Sequence, residues 1–164
     1  MKKILIIVQL LLFSLSAFSQ CVEIDLLSQL FKYSLEKQDQ ILETKGFSIN
    51  EDHGKEFGMD WVNIKTDQYI SIRRNDGNKV DRVQYRLKGN FNCYEEIKSK
   101  LSTLGFKKEF ETIDTYSAFY FFYKSDSFGV ILAKWKAPND YVGNFYQVNV
   151  LSLESYYKEL EERK

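Results

Sequence analysis

The only histidine of the chain, His53, is the first residue to consider for chemistry. It lies in the polar segment 50–56, where neighbouring carboxylates would allow an acid–base pair or a weak cation site. General base catalysis also needs an oriented partner and a pocket, and the spacing of residues along the sequence shows neither of them. We therefore interpret the segment as a solvated loop, and a hydrolase that acts on envelope material through His53 is the alternative.

Other catalytic and metal-binding motifs are absent from the sequence. The chain has no Gly-x-Ser-x-Gly elbow, no phosphate-binding glycine loop and no His-Glu-x-x-His helix. Two cysteines and one distant histidine do not form a zinc ligand set. Four aspartates are too dispersed for a compact calcium loop, namely Asp60, Asp67, Asp76 and Asp81. We predict a non-enzymatic protein without a metal or cofactor.

Basic and aromatic side chains are the candidates for a binding surface. The basic series on segment 73–88 would line one face of a sheet, as a solvated face or as a surface for an anionic partner. Trp61 and Trp135 either pack in the core or help to form a contact surface, since aromatic residues and arginine anchor interfaces. The candidate binding residues are Arg73, Arg74, Arg82, Arg86, Trp61 and Trp135.

The first 19 residues have the three regions of a secretory signal peptide. Lys2 and Lys3 precede the apolar run 4–13, and Ala17 and Ser19 are small residues placed for cleavage before Gln20. The stretch 4–18 is shorter than the roughly 20 residues that cross a bilayer, so we predict no membrane span after cleavage. We expect a periplasmic or secreted protein, with lipid anchoring through Cys21 as the alternative.

After cleavage two cysteines remain, Cys21 and Cys93. An even number of cysteines in an exported chain favours one disulfide, and two free buried thiols are the alternative.

The chain that remains after cleavage, residues 20–164, has the length of one domain. Over the whole 164-residue sequence, basic and acidic residues number 23 each. This balance of charge, without a basic stripe, argues against nucleic acid as a partner. The partner that we expect is another envelope or secreted protein.

An internal duplication relates two parts of the chain. Gly46-Phe47 recurs as Gly105-Phe106, and Lys65-Thr66-Asp67 recurs as Lys124-Ser125-Asp126, both at an offset of 59 residues. The same ungapped offset makes Trp61 equivalent to Tyr120. We place the first repeat at about residues 22–88, the second at about 92–153, and a C-terminal helix at about 154–163.

The periodicity predicts the elements of each repeat. Ser34 caps a helix that Gly46 ends, and Asn92 caps a helix over 93–104 that Gly105 ends. Segment 82–88 alternates polar and apolar residues, so we expect a strand with one face exposed to solvent. Segments 118–123 and 128–135 are apolar on both faces, which requires a local cover, either the C-terminal helix or a partner protein.

The predicted fold is α+β, with two tandem helix-plus-strands repeats that share one antiparallel sheet, helices on one face and a short C-terminal helix. Over residues 34–153 the order of elements resembles the saddle-shaped β-lactamase inhibitor proteins and the TATA-binding-protein fold. The succession of helix, Lys-Gly-Phe and strand is also similar to that of small exported bacterial proteins of uncharacterised function. These resemblances imply a fold and no activity. We predict an exported binding or inhibitory module, with a hydrolase or a structural envelope component as alternatives.

Overall fold

One antiparallel sheet organises the molecule, whose computed structural model describes residues 21–50, 58–136 and 144–164. Its strands are Ser48–Ile49 (β1), Gly58–Asn63 (β2), Gln68–Arg74 (β3), Val80–Lys88 (β4), Lys107–Ile113 (β5), Phe119–Lys124 (β6), Gly129–Lys136 (β7) and Asn144–Leu151 (β8). The spatial order is β1-β2-β3-β4-β8-β7-β6-β5. Two four-stranded meanders therefore meet at the β4–β8 pair, and the predicted α+β fold with one continuous sheet is confirmed.

Short helices flank the strands. They are Ile24–Gln29 (α1), Leu35–Thr44 (α2), Phe91–Leu101 (α3) and Leu153–Glu162 (α4), with a 3₁₀ turn at Leu30–Lys32. As predicted, Ser34 accepts a hydrogen bond from the Lys37 N–H at 3.4 Å, and Gly46 ends α2 with φ of +82°.

The start of α3 corrects one prediction, because Asn90 and not Asn92 is its N-cap. The Asn90 side chain accepts a hydrogen bond from the Cys93 N–H at 3.2 Å. Gly89, with φ of +66°, turns the chain directly out of β4, a conformation that glycine adopts without steric cost. The helix therefore begins at Phe91, two residues earlier than the sequence pattern indicated.

The sheet has a covered face and an outer face. Helices α1, α2 and α3 pack on the covered face through Leu27, Leu42 and Ile97, in one core with Val83 and Tyr85. On β4 the side chains between these buried residues belong to the outer face, as the alternation predicted. The main core thus lies between three helices and one side of the sheet.

Helix α4 packs on the opposite side and covers one part of the outer face. Tyr156 and Leu160 of α4 form a second core cluster with Phe122, Ile131 and Leu151. The prediction that the second apolar face has a local cover is confirmed, and of the two alternatives, the C-terminal helix or a partner protein, the helix is the one that the structure contains. The part of the outer face formed by β2, β3 and β4 has no helix over it among the described residues.

The ungapped equivalence of Trp61 and Tyr120 is wrong. Trp61 is 0% exposed on the covered face, whereas Tyr120 pairs with Ala133 and lies on the outer face. A shift of one residue exchanges the faces of a strand, so an offset of 60 residues, which pairs Trp61 with Phe121, restores the correspondence. The β5 bulge between Lys108 and Phe110 contains one extra residue and is of the size needed for this shift.

Cys21 and Cys93 are joined by a disulfide, with their Cα atoms 5.4 Å apart. The predicted pairing is therefore present. In the described ranges we find no helix with the length and apolar character to cross a bilayer. The predicted leader (residues 1–19) and His53 with most of its segment lie outside the described residues.

Candidate functional site

The six residues proposed from the sequence do not form one surface. Arg73, Arg82 and Arg86 lie on the outer face, in register across β3 and β4. Arg74 follows the irregularity at the end of β3 and reaches the α2 side, where it donates to Gln38 Oε1 at 3.4 Å. The two tryptophans also differ from each other in burial.

Trp61 belongs to the core and not to a binding surface. Its side chain is fully buried, and its Nε1–H donates to Asp39 Oδ1 at 3.0 Å. That bond satisfies the one polar atom of the indole, as burial of tryptophan requires. Trp135 is half-exposed on the outer face and stacks on Phe145, with ring centroids 5.9 Å apart.

The charged side chains on the open part of the outer face pair with one another and with α4. Arg73 is 2.8 Å from Asp60, Arg82 pairs with Glu159 of α4, and Lys88 is 3.1 Å from Asp67. The remaining bonds run along a ladder of side chains, from Arg86 to Gln84 (2.8 Å), from Gln84 to Asn149 (3.0 Å) and from Gln147 to Asn149 (2.9 Å). Such surface pairs contribute little individually, and they account for Arg73 and Arg86 without a partner protein.

A different surface, at the β5 end of the covered face, carries exposed apolar side chains. Ile113 is 58% exposed, Phe119 is 44% exposed and Tyr116 in the intervening turn is 86% exposed. Helix α3 packs over β8 and β4, so it leaves this corner open. The result is a groove of about 410 Å³ lined by Glu111, Thr112, Ile113, Phe119 and Phe121, which we call the β5 groove.

Two lysines approach the Phe121 ring at the rim of this groove. Lys98 Nζ of α3 is 4.6 Å from the ring centroid and Lys108 Nζ of β5 is 5.3 Å from it. Lys108 also pairs with Glu111 at 2.5 Å. Among the described residues Lys98 has no carboxylate within ion-pair distance, so no described side chain neutralises its positive charge at the rim.

Strand β5 borders the groove and forms one edge of the sheet. Within the described ranges its only neighbour is β6, and it is seven residues long, whereas the opposite edge strand β1 has two. The Asp114 N–H donates to Ala118 O at 3.0 Å. Because bonded pairs alternate along antiparallel strands, Glu111 and Ile113 direct their N–H and C=O groups away from β6. An edge with unpaired backbone groups is a template for another strand.

Asp114 holds the turn that positions Ile113 and Phe119. Its Oδ1 accepts hydrogen bonds from the Tyr116 N–H at 2.8 Å and the Ala118 N–H at 2.9 Å, and its Oδ2 accepts one from the Tyr120 hydroxyl at 3.2 Å. These bonds, first the one from Ala118, hold the pKa of the Asp114 carboxyl below its ordinary value. The two strands that line the groove are therefore joined by a well-defined turn.

Sequence reasoning indicated that segment 118–123 is apolar on both faces, but not where the cover ends. Ile113 and Phe119 were not among the predicted site residues, because their exposure depends on the placement of α3.

Within residues 21–50, 58–136 and 144–164 no cluster of three metal-ligating side chains occurs. No protein-family model, curated protein or solved structure matches the chain. The hydrolase hypothesis depends on His53, which is outside the described residues, and stays a prediction.

Proposed function

We propose that this protein is an exported, non-enzymatic binding or inhibitory module that takes up an extended segment of another exported protein along the edge of β5. The observation that carries the proposal is the coincidence of two features at one place. Glu111 and Ile113 present unpaired backbone groups, and the exposed Ile113 and Phe119 side chains lie beside them.

Strand addition would use both features. Backbone hydrogen bonds to an edge strand supply affinity, and pockets for every second side chain supply specificity. A strand added to β5 would place the side chains opposite Glu111 and Ile113 on the covered face, in the β5 groove. Those side chains would bury Ile113 and Phe119, which are the apolar groups that this end of the sheet leaves in water.

The charges at the rim define the partner further. Lys98 lies over Phe121 without a carboxylate partner among the described residues, so an acidic residue of the partner would complement it. The opposite end of β5 is less suited to pairing, because the bulge at Lys108 and Phe110 interrupts it. The partner is therefore a short extended segment with apolar residues at alternate positions and an acidic residue beside them.

Photo-crosslinking with mapping of the attachment site tests the proposal. A photoreactive phenylalanine at position 119 should cross-link to a partner in the envelope or medium, and the attached peptide should have the alternating apolar and acidic pattern. The same group in place of Tyr69, an exposed outer-face residue, is the control. Cross-links that form at position 69 and not at 119 would place the interaction on the other face and refute the β5 site.

A proline substitution then measures the contribution of the edge. Ile113→Pro removes an outward N–H, which an edge strand tolerates, and should weaken binding of the mapped synthetic peptide at least tenfold by calorimetry. Ile49→Pro is the matched control: because the Asn50 N–H donates to Asp60 O at 2.9 Å, Ile49 faces outward on the opposite edge strand. Equal losses in the two variants, at unchanged melting temperature, would contradict docking at β5.

A further inference from the structure

A cavity between α4 and the outer face is distinct from the β5 groove, which lies on the other side of the sheet. It has a volume of about 160 Å³, close to that of a cavity that admits a benzene ring. Ile131 and Ala133 contribute apolar walls, and the rings of Tyr120 and Trp135 line it as well. We call it the α4 cavity. Its apolar part matches a small flat ring in size and chemistry.

The polar lining of the α4 cavity has an excess of positive charge. Two guanidinium groups, Arg82 and Arg163, share one carboxylate, that of Glu159. Arg82 pairs with Glu159 directly, whereas the Arg163 Nε is 3.9 Å from Glu159 Oε2. The Arg163 guanidinium lies 3.8 Å from the Tyr120 ring centroid. Asp114 accepts a hydrogen bond from the Tyr120 hydroxyl and interacts electrostatically with Arg163, but it does not line the cavity. The lining residues alone carry a net charge of about +1.

Asn149 adds unused hydrogen-bond donors. Asn149 is only 6% exposed. Its Oδ1 accepts hydrogen bonds from Gln84 Nε2 and Gln147 Nε2. Among the described residues the Nδ2 group has no partner, although a primary amide carries two N–H donors. An amide whose N–H donors are accessible from the cavity is complementary to a hydrogen-bond acceptor.

From the charge, the donors and the apolar walls we infer that the α4 cavity binds a small monocarboxylate with one flat apolar ring. The carboxylate is held by Arg163 and the Asn149 amide, both of which line the cavity. The ring packs on Ile131 and Ala133 beside Trp135. This inference goes beyond the proposed partner binding and does not depend on it, because the two sites share no lining residue.

Titration with benzoate, followed by NMR of the two tryptophan side chains, tests the inference. Benzoate should shift the indole N–H signal of Trp135 in a saturable manner. The Trp61 indole, which is buried and bonded to Asp39, should not move and serves as an internal reference. Acetate, which lacks the ring, and benzyl alcohol, which lacks the charge, should each bind at least tenfold more weakly than benzoate.

Asn149→Asp provides the decisive variant because it keeps the shape and the Oδ1 acceptor but replaces the two donors with a negative charge. It should weaken benzoate binding at least tenfold. Asn144→Asp makes the same change at an exposed position of the same strand and should leave benzoate affinity unchanged. The inference is wrong if benzoate leaves the Trp135 signal unmoved, if benzyl alcohol binds equally well, or if the folded Asn149→Asp protein binds benzoate as the wild type does.

Discussion

The turn around Asp114 shows how one side chain determines local structure near the candidate site. Its two carboxylate oxygens accept three hydrogen bonds, two from backbone N–H groups and one from the Tyr120 hydroxyl. Ser117 adopts a positive φ of +60° in the same turn, a conformation that costs energy for a residue with a side chain. The bonds to Asp114 offset that cost and keep β5 and β6 in register.

The lowered pKa of Asp114 makes this turn sensitive to acid. A carboxyl with a lowered folded-state pKa stabilises the protein above its ordinary value of 3.8, and that stability is lost as the pH falls through the lower folded-state value. Asp114→Asn keeps an acceptor for the backbone N–H groups but cannot ionise. The wild type should therefore melt higher than Asp114→Asn at pH 6, and the difference should disappear near pH 2.

A control in the next turn separates this effect from a general charge effect. Asp126→Asn removes a carboxylate that accepts no hydrogen bond from the described residues, and it should change the melting temperature little at any pH. Melting curves recorded between pH 2 and pH 6 decide the matter. A difference between wild type and Asp114→Asn that stays constant across this range would show that the charge of Asp114 has no stabilising role.

Among the elements, α4 depends on a close approach to β7. A Cβ atom on Gly129 would lie 2.1 Å from the Tyr156 ring, so the absence of a side chain allows the helix to lie flat on the sheet. The bulge residue Glu109 also contributes. Its Oε2 accepts a hydrogen bond from the Tyr156 hydroxyl at 3.0 Å, and its Oε1 is 3.1 Å from Lys124 Nζ. The bulge in β5 thus anchors the additional helix of the second repeat.

Gly129→Ala should displace α4 and destabilise the protein by about 1–3 kcal/mol, the usual cost of overpacking. Urea unfolding measures the loss, and amide hydrogen exchange should show faster exchange in α4 than in α2. Gly77→Ala is the control, since its added Cβ meets only the Asn75 Oδ1 at 3.4 Å. If Gly129→Ala is as stable as Gly77→Ala, the close packing of α4 on β7 is not required for its docking.

For the whole molecule, local patterns predicted the elements, and tertiary placement determined what they do. The alternation at 82–88 predicted the two faces of β4, and Gly46 and Gly105 marked the ends of helical segments. The Trp61–Tyr120 equivalence failed because one inserted residue exchanges the faces of a strand, which pattern matching over a hairpin does not reveal. The β5 groove was not predictable, because only the position of α3 over β8 leaves Phe119 uncovered.

The disulfide acts on this scale, since it connects the segment before α1 to α3 of the second repeat across 72 residues of chain. Such a cross-link reduces the entropy of the unfolded chain and stabilises the folded state by about 4 kcal/mol when it is unstrained. The double variant Cys21→Ala/Cys93→Ala should lose roughly that amount in urea unfolding. Wild type unfolded with a reductant present should lose a similar amount.

The position of Cys21 also predicts where the loss appears first. The neighbouring Val22 N–H donates to the buried Tyr85 hydroxyl at 3.3 Å, and burial raises the pKa of that phenol above its ordinary value. Without the disulfide the chain before α1 is held by this bond and by apolar contacts of Val22 and Ile24. Amide exchange in α1 should therefore accelerate more than exchange in β4 and β8. If exchange accelerates equally in all elements, the cross-link acts only through the unfolded chain. If urea unfolding shows unchanged stability, the packing of the two repeats suffices to hold them together.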